Sequence, residues 1–273
     1  LLIEKRVSKK VFFQQGLQMI LIDVGNTNIV FAVSLNNLLK KIKRIKTNDD
    51  NKKLKNLINK IIIDFASTHK LDNHNVAIIS SVVPNLNLLI KNILKKHSIK
   101  GYVITSKDIL PFLRIKYNLK EIGADRLANS IAIIKNKISN SIVIDFGTAT
   151  TFEVIKNNIF LGGIIFPGIN LSKETLVKEA SLLKNTEIAK TNKIVANNTQ
   201  KSIQSGFYWG YLLAINGLIK NISIENKFKP KIILTGGLAN IFKNDIKPKP
   251  IIKPNLTLEG LQIIGSSHYA KKK

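Results

Sequence analysis

Residues 20–33, ILIDVGNTNIVFAV, align without a gap on residues 142–155, IVIDFGTATTFEVI, at an offset of 122 residues. Each copy is an apolar, β-rich run ending in Asp-x-Gly, then small hydroxyl and amide residues, then a second β-rich run. Asn36 and Asn37 follow the first copy, and Asn157 and Asn158 the second. Asn tolerates the positive φ that tight hairpin turns demand, so each pair predicts a hairpin. An internal repeat of this kind makes the chain a duplication, and any fold proposed for one copy must serve the other as well.

The segments around the copies alternate in type. Asp49 and Asp50 open a helical pattern through Leu54, Leu57, Ile58, Ile61 and Ile62. Val76–Val83 reads as a strand, with Pro84 suited to the first turn of a following helix. A strand is expected at Gly101–Thr105 and a helix at Gly123–Ile138. Further helices are expected at Ser172–Leu183 and Thr199–Ile222, then a strand at Lys231–Thr235 and a helix after Gly237. The pattern predicts an α/β chain of two domains, 19–139 and 140–268, each with a mixed sheet, meeting at a cleft and ending in a basic tail at 269–273. Residues 1–18 have no sustained period and precede the only methionine, Met19. They read as an upstream or non-native extension, whose deletion is expected to leave folding and activity intact.

Composition narrows the chemistry. At 273 residues and 44% apolar, the chain has material for a real core. It has no cysteine, which excludes a disulfide framework, a thiolate nucleophile and cysteine-ligated metals. No two of its four histidines have the i, i+4 spacing of a helical metal site. No apolar run is long enough for a membrane helix, and the N-terminus lacks a signal-peptide core, so a cytoplasmic location without membrane partners is expected. The net charge of +26 accompanies heavy use of Asn and Ile. AT-rich codons explain that combination, and the cluster Lys40, Lys41, Lys43, Arg44 and Lys46 has no interleaved aromatics for base stacking, so no specific nucleic-acid partner is expected.

The loops after the repeated strands suit phosphate. Gly25 and Gly147 lack a Cβ, so backbone amides and the hydroxyls of Thr27 or Thr148 can reach phosphate oxygens. Asp23 and Asp145 at the strand ends would repel phosphate unless cations lay between, so the pattern implies metal ions with a nucleotide. No Lys follows any glycine and no two glycines sit two apart, which excludes a Walker loop and a dinucleotide fingerprint. Gly123, Ala124, Asp125 and Arg126 open a helix. Asp125 is there either an ordinary helix-start acid beside a solvated Arg126, or a general base beside an anion-clamping arginine. Leu234, Thr235, Gly236, Gly237 and Leu238 form another strand-to-helix turn, open to close approach by a base or ribose.

DVGNTN (23–28), GADR (123–126), DFGTATT (145–151), GGIIFPGI (162–169), NNTQKSIQSG (197–206), TGGLA (235–239) and LTLEGL (256–261) together resemble the type III pantothenate kinase family, in order and over almost all of residues 19–264. The resemblance implies two duplicated RNase H-like domains of the actin-like and acetate and sugar kinase superfamily, usually a homodimer. It implies ATP-dependent phosphorylation of pantothenate, the first step of coenzyme A synthesis, with Mg²⁺ accompanying ATP. It further implies that Asp23, Val24, Gly25, Asn26, Thr27, Asn28, Ile29 and Val30 form the first ATP loop and that Thr148 binds ATP in the second. Asp125 would be the proton acceptor, and Tyr117, Gly123, Ala124, Arg126 and Thr199 would contact pantothenate. Asp145 would hold a monovalent cation, K⁺ or NH₄⁺. The segment before GADR departs from the family pattern: Tyr117, Asn118 and Leu119 carry no proline. Another small-molecule kinase of the superfamily and a non-catalytic regulator on the same fold are the alternatives; intact Asp23, Asp125 and Asp145 speak against the regulator.

Overall fold

The computed structural model describes residues 18–47, 50–68, 76–110, 112–180 and 186–270. Residues 1–17, Asp49, the 181–183 end of the expected helix and the last residues of the basic tail lie outside them.

The first repeat copy forms β1 (Met19–Val24) and β2 (Asn28–Leu35), followed by β3 (Leu38–Lys46). Helix α1 (Asn51–Thr68), strand β4 (Val76–Ser81), helix α2 (Pro84–Lys96) and strand β5 (Lys100–Val103) complete the unit. Asp50 caps α1 by accepting from the amides of Lys52 and Lys53, and Pro84 occupies the first turn of α2, where a missing N–H is harmless. The sheet order is β3-β2-β1-β4-β5, antiparallel within the hairpins and parallel from β1 to β5. Edge strand β3 carries Lys40, Lys41, Lys43, Arg44 and Lys46. Charged side chains on a sheet edge discourage pairing with other chains, which gives most of this basic cluster a structural reason to exist.

Short α3 (Ser106–Ile109), β6 (Arg114–Ile115) and α4 (Ala124–Lys135) lead to the second copy: β7 (Ser141–Phe146), β8 (Ala149–Lys156) and β9 (Ile159–Pro167). Then come α5 (Ile169–Glu179), α6 (Thr199–Glu225), β10 (Lys231–Gly236), α7 (Ala239–Phe242), β11 (Ile251–Ile252) and α8 (Leu256–Ala270). The second sheet runs β11-β10-β7-β8-β9 in the same pattern as the first, with β6 added beside β9. Both Asn pairs occupy hairpin turns at positive φ, 50° and 59° in the first and 52° and 60° in the second.

The gapless alignment of the copies needs one correction. Val24 pairs with Ile29 in the first hairpin, whereas Phe146 pairs with Thr150 in the second, so the second loop is one residue shorter. From the second strand onward the copies therefore correspond at an offset of 121, and Val30 matches Thr151.

Side-chain alternation along the central strands builds three cores. Ile20, Ile22 and Val24 pack outward against α1 and α2, and Ile142, Ile144 and Phe146 pack outward against α6. Met19, Leu21 and Val143 face a middle layer formed by α4 and α8, where Leu127, Ile131, Leu256, Leu261 and Ile264 are buried. The chain is thus layered α-β-α-β-α. Helix α8 can lie this close to α4 because a Cβ on Gly260 would sit 2.0 Å from the carbonyl oxygen of Ala128. By the same alternation Asp23 and Asp145, two residues beyond Leu21 and Val143, end their strands on the middle-facing side.

Candidate active site

Both DxG loops meet at this inner side. The Gly25 amide donates to the Asn28 carbonyl at 3.0 Å and the Gly147 amide to the Ala149 carbonyl at 3.1 Å. Thr27 Oγ1 and Thr148 Oγ1 lie 2.6 Å apart, so the two loops touch through the hydroxyls the sequence singled out. Val24, Ile29 and Val30 are buried among the cores, so of the expected first ATP loop only Asp23, Gly25, Asn26, Thr27 and Asn28 reach the cleft. The reason is strand alternation in a sheet covered on both faces.

Helix α4 enters from the middle layer and brings Asp125 to the strand ends. Burial raises the Asp23 carboxyl to about 7, with the charges of Asp125 and Asp145 adding to the rise. Asp145 is pushed to about 6 by burial and by Asp125, partly offset by a hydrogen bond from Asn129. Burial also raises Asp125, against the backbone bonds and the Arg126 charge that favour its ionised form. Three carboxylates facing one another call for positive charge. Among the described residues no three acidic or imidazole side chains converge tightly enough to ligate an ion alone, so a bound cation would draw on other oxygens, such as those of a polyphosphate. The Gly236 backbone packs closely on Asp145: its φ is +85°, and a Cβ there would stand 2.5 Å from Asp145 Oδ1 and 2.6 Å from the Phe146 backbone. Asn129 Nδ2 donates to Asp145 Oδ2 at 3.2 Å while Thr257 Oγ1 donates to Asn129 Oδ1 at 2.9 Å, which fixes that carboxylate through α4 and α8.

Arg126 is not solvated. It is 6% exposed, and its Nε donates to Glu153 Oε1 on β8 at 2.9 Å, pinning the first turn of α4 to the second sheet. Its Nη2 is buried without a partner. Gly163 makes room for it: a Cβ there would come within 1.7 Å of the Phe152 carbonyl oxygen and 2.6 Å of Nη2. Gly123 and Ala124 line a cavity of about 500 Å³ with Ser81, Thr105, Ser106 and Glu121. Such a volume suits a small organic substrate.

A family model for type III pantothenate kinase matches residues 19–221. The chain belongs to that family. A type III pantothenate kinase of Pelagibacter ubique is 39% identical over 248 residues, covering 88% of this chain and 95% of the relative. Among solved structures, a Baf family protein from Campylobacter jejuni shares the fold with a TM-score of 0.58 at 22% identity, covering 92% of this chain and 99% of that one. MreB5 of Spiroplasma citri, bound to ADP, matches with a TM-score of 0.52 at 14% identity, covering 95% and 99%. Both matches show a shared fold.

For the pantothenate kinase chain, the structure gathers Asp23, Thr27, Asp125, Asp145 and Thr148 at one cleft and sets Gly123 and Ala124 in the adjoining cavity. Tyr117 lies apart from that cavity. Its ring is 40% exposed, rests 3.4 Å from the Cβ position of Gly162 and stands edge-on to Phe160, the ring that Arg126 covers at 5.9 Å. Thr199 opens α6 after its Asn198 cap and is exposed; no hydrogen bond among the described residues joins it to the aspartates. Asn129, Glu153 and Thr257 escaped the sequence. Asn129 was within reach, one helical turn after Asp125, where i and i+4 share a face.

These raised carboxyls make a stability prediction. Between about pH 4 and 7 folded Asp23 keeps a proton that the unfolded chain has lost, so native stability falls as pH rises through that window. Nucleotide-free Asp23→Asn is therefore expected to melt a few degrees above wild type at pH 8, the gap narrowing towards pH 4. Thermal scans across pH check this; a variant that melts below wild type at pH 8 contradicts it.

Proposed function

We propose that the cleft transfers the γ-phosphoryl group of ATP to the primary hydroxyl of pantothenate, the first step of coenzyme A synthesis. The observation that carries this is the convergence of both DxG loops on Asp125, with Thr27 and Thr148 in contact. Family membership supports the acceptor. The hydroxyl oxygen forms the new bond to the γ-phosphorus, the bond from that phosphorus to the β–γ bridging oxygen breaks, ADP leaves, and the hydroxyl proton passes to the Asp125 carboxylate. Phosphoryl transfer asks the protein for alignment and charge neutralisation rather than covalent chemistry.

Loop amides of Asn26 and Thr27 and the hydroxyls of Thr27 and Thr148 hold the triphosphate. Asp145 would hold a monovalent cation, K⁺ or NH₄⁺, and Mg²⁺ would accompany ATP; such cations would supply positive charge between carboxylates and phosphates. Gly123 and Ala124 shape the pantothenate cavity. Arg126, held by Glu153, keeps Asp125 in place and has an unpartnered Nη2 to offer the substrate carboxylate. Tyr117 and Thr199 join the substrate set on the family pattern alone. Exposed Ile165, Leu171, Leu176 and Leu213 support a homodimer. Among the described residues no helix is long and apolar enough to cross a membrane, in keeping with a cytoplasmic enzyme.

A coupled ADP-release assay across pantothenate, acetate and simple sugars tests the assignment. ADP formation that depends on pantothenate is expected; release driven by a sugar or acetate points to another kinase of the superfamily, and no release with any acceptor points to a regulator.

A further inference from the structure

Three residues form one row across the first sheet. Asp23 on β1 stands opposite Val30 on β2, and Val30 opposite Arg44 on β3. Directly opposed residues share a face, and Val30 packs in the core between the two sheets, so Arg44 lies on the cleft side with Asp23. Its neighbour Lys43 pairs with Phe31, which packs in the outer core, and so belongs to the other face.

The end of β3 is also fastened to the first phosphate loop. Thr47 Oγ1 donates to the Gly25 carbonyl at 2.7 Å, and the Thr47 amide donates to the Thr27 carbonyl at 2.9 Å. The duplication supplies an internal comparison: the matching row in the second sheet is Asp145, Thr151 and Ile165. One half presents a guanidinium where the other presents an apolar side chain. A cation at that position is therefore no requirement of the fold, which points to use in the cleft.

We propose that Arg44 contacts the β- and γ-phosphates of ATP and neutralises charge on the phosphoryl group in flight, an inference that rests on the cleft being the ATP site. An extended arginine spans the width of one intervening strand, and its planar fork matches two phosphate oxygens at once. The Arg44 charge acts on both Asp23 and Asp145, favouring their ionised forms, as a guanidinium reaching over the cleft must. Three carboxylates and a triphosphate in one cleft need such a counter-charge from the protein.

The test uses the full chain with Arg44→Ala, Arg44→Lys and Lys43→Ala. Each is titrated with Mg·ATP, Mg·ADP and AMP, and kcat is measured with pantothenate. Arg44→Ala should lose ATP affinity by roughly 10- to 100-fold and kcat by about 10² or more, with AMP binding unchanged. Arg44→Lys should recover part of the ATP affinity, since it keeps the charge and loses the fork, and Lys43→Ala should stay within about twofold of wild type. ATP affinity and kcat near wild type in Arg44→Ala would overturn the proposal. So would an equal loss for AMP, or an equal loss in Lys43→Ala, which would mark a general effect of surface charge. A wild type that binds ATP without phosphorylating pantothenate fails the acceptor assignment alone, and the nucleotide series still decides Arg44.

Discussion

Asp125→Asn is expected to lower kcat by roughly 10² to 10⁴ while leaving ATP affinity within a few-fold of wild type. The substitution keeps the shape of the side chain and its place in the first turn of α4, where Asn is tolerated. It removes the negative charge of the carboxylate and with it the ability to accept a proton. Arg126 stays anchored to Glu153, so the turn that carries residue 125 keeps its position and the loss reads on chemistry rather than folding. Because burial raises Asp125 above the usual carboxylate range, the wild-type rate should also fall on the acid side as the base becomes protonated, and that limb should vanish from the residual activity of the variant. Were Asp125 merely a helix-start acid, the change would cost a few tenths of a kcal/mol of stability and little turnover. Steady-state kinetics with nucleotide titration on this one variant separates the cases, and lost ATP binding would move Asp125 into the nucleotide site.

Asp145→Ala is expected to abolish the response to potassium and to reduce turnover by about 10² or more. Wild type should run faster in potassium or ammonium than in sodium, because the Asp145 carboxylate is fixed rather than adaptable. Gly236, at φ +85°, packs close to its Oδ1, and the chain from Thr257 through Asn129 holds the other oxygen. A carboxylate so held cannot swing to follow a smaller ion. Rates compared in potassium-only and sodium-only buffers give the readout; equal rates in wild type would remove the cation from the account, and a potassium response surviving in Asp145→Ala would move it to other ligands.

What the sequence disclosed follows from how strongly each feature is locally encoded. The Asp-x-Gly repeat, the Asn-Asn turns and the α4 start each depend on backbone chemistry within a few residues, and the structure keeps all of them. Strand β3 was hidden because five of its nine positions are basic, which masks the alternation that marks a strand; with it went Arg44, read only as one member of a basic cluster without aromatics. Helix α8 was hidden for the opposite reason. It lies between two sheets, so it has no polar face, and Gly260 and Gly265 sit where close packing rather than helix propensity decides. The one-residue difference between the loops was invisible to a gapless alignment because both versions keep an apolar residue at most positions. Glu153 could not be foreseen as the anchor of Arg126, since the pair joins elements whose meeting is set by the whole α-β-α-β-α layering.

The central claim is phosphoryl transfer to the primary hydroxyl of pantothenate, and phosphorus NMR of the product tests it most directly. Incubated with Mg·ATP, potassium and pantothenate, the protein should yield ADP and a phosphomonoester whose phosphorus signal is split into a triplet by the two protons of a neighbouring methylene group. A doublet would place the phosphate on the secondary hydroxyl, and a signal without proton splitting that disappears on treatment with hydroxylamine would reveal an acyl phosphate on the carboxylate. Either of those, or ADP formed without any new phosphate ester, would contradict the account.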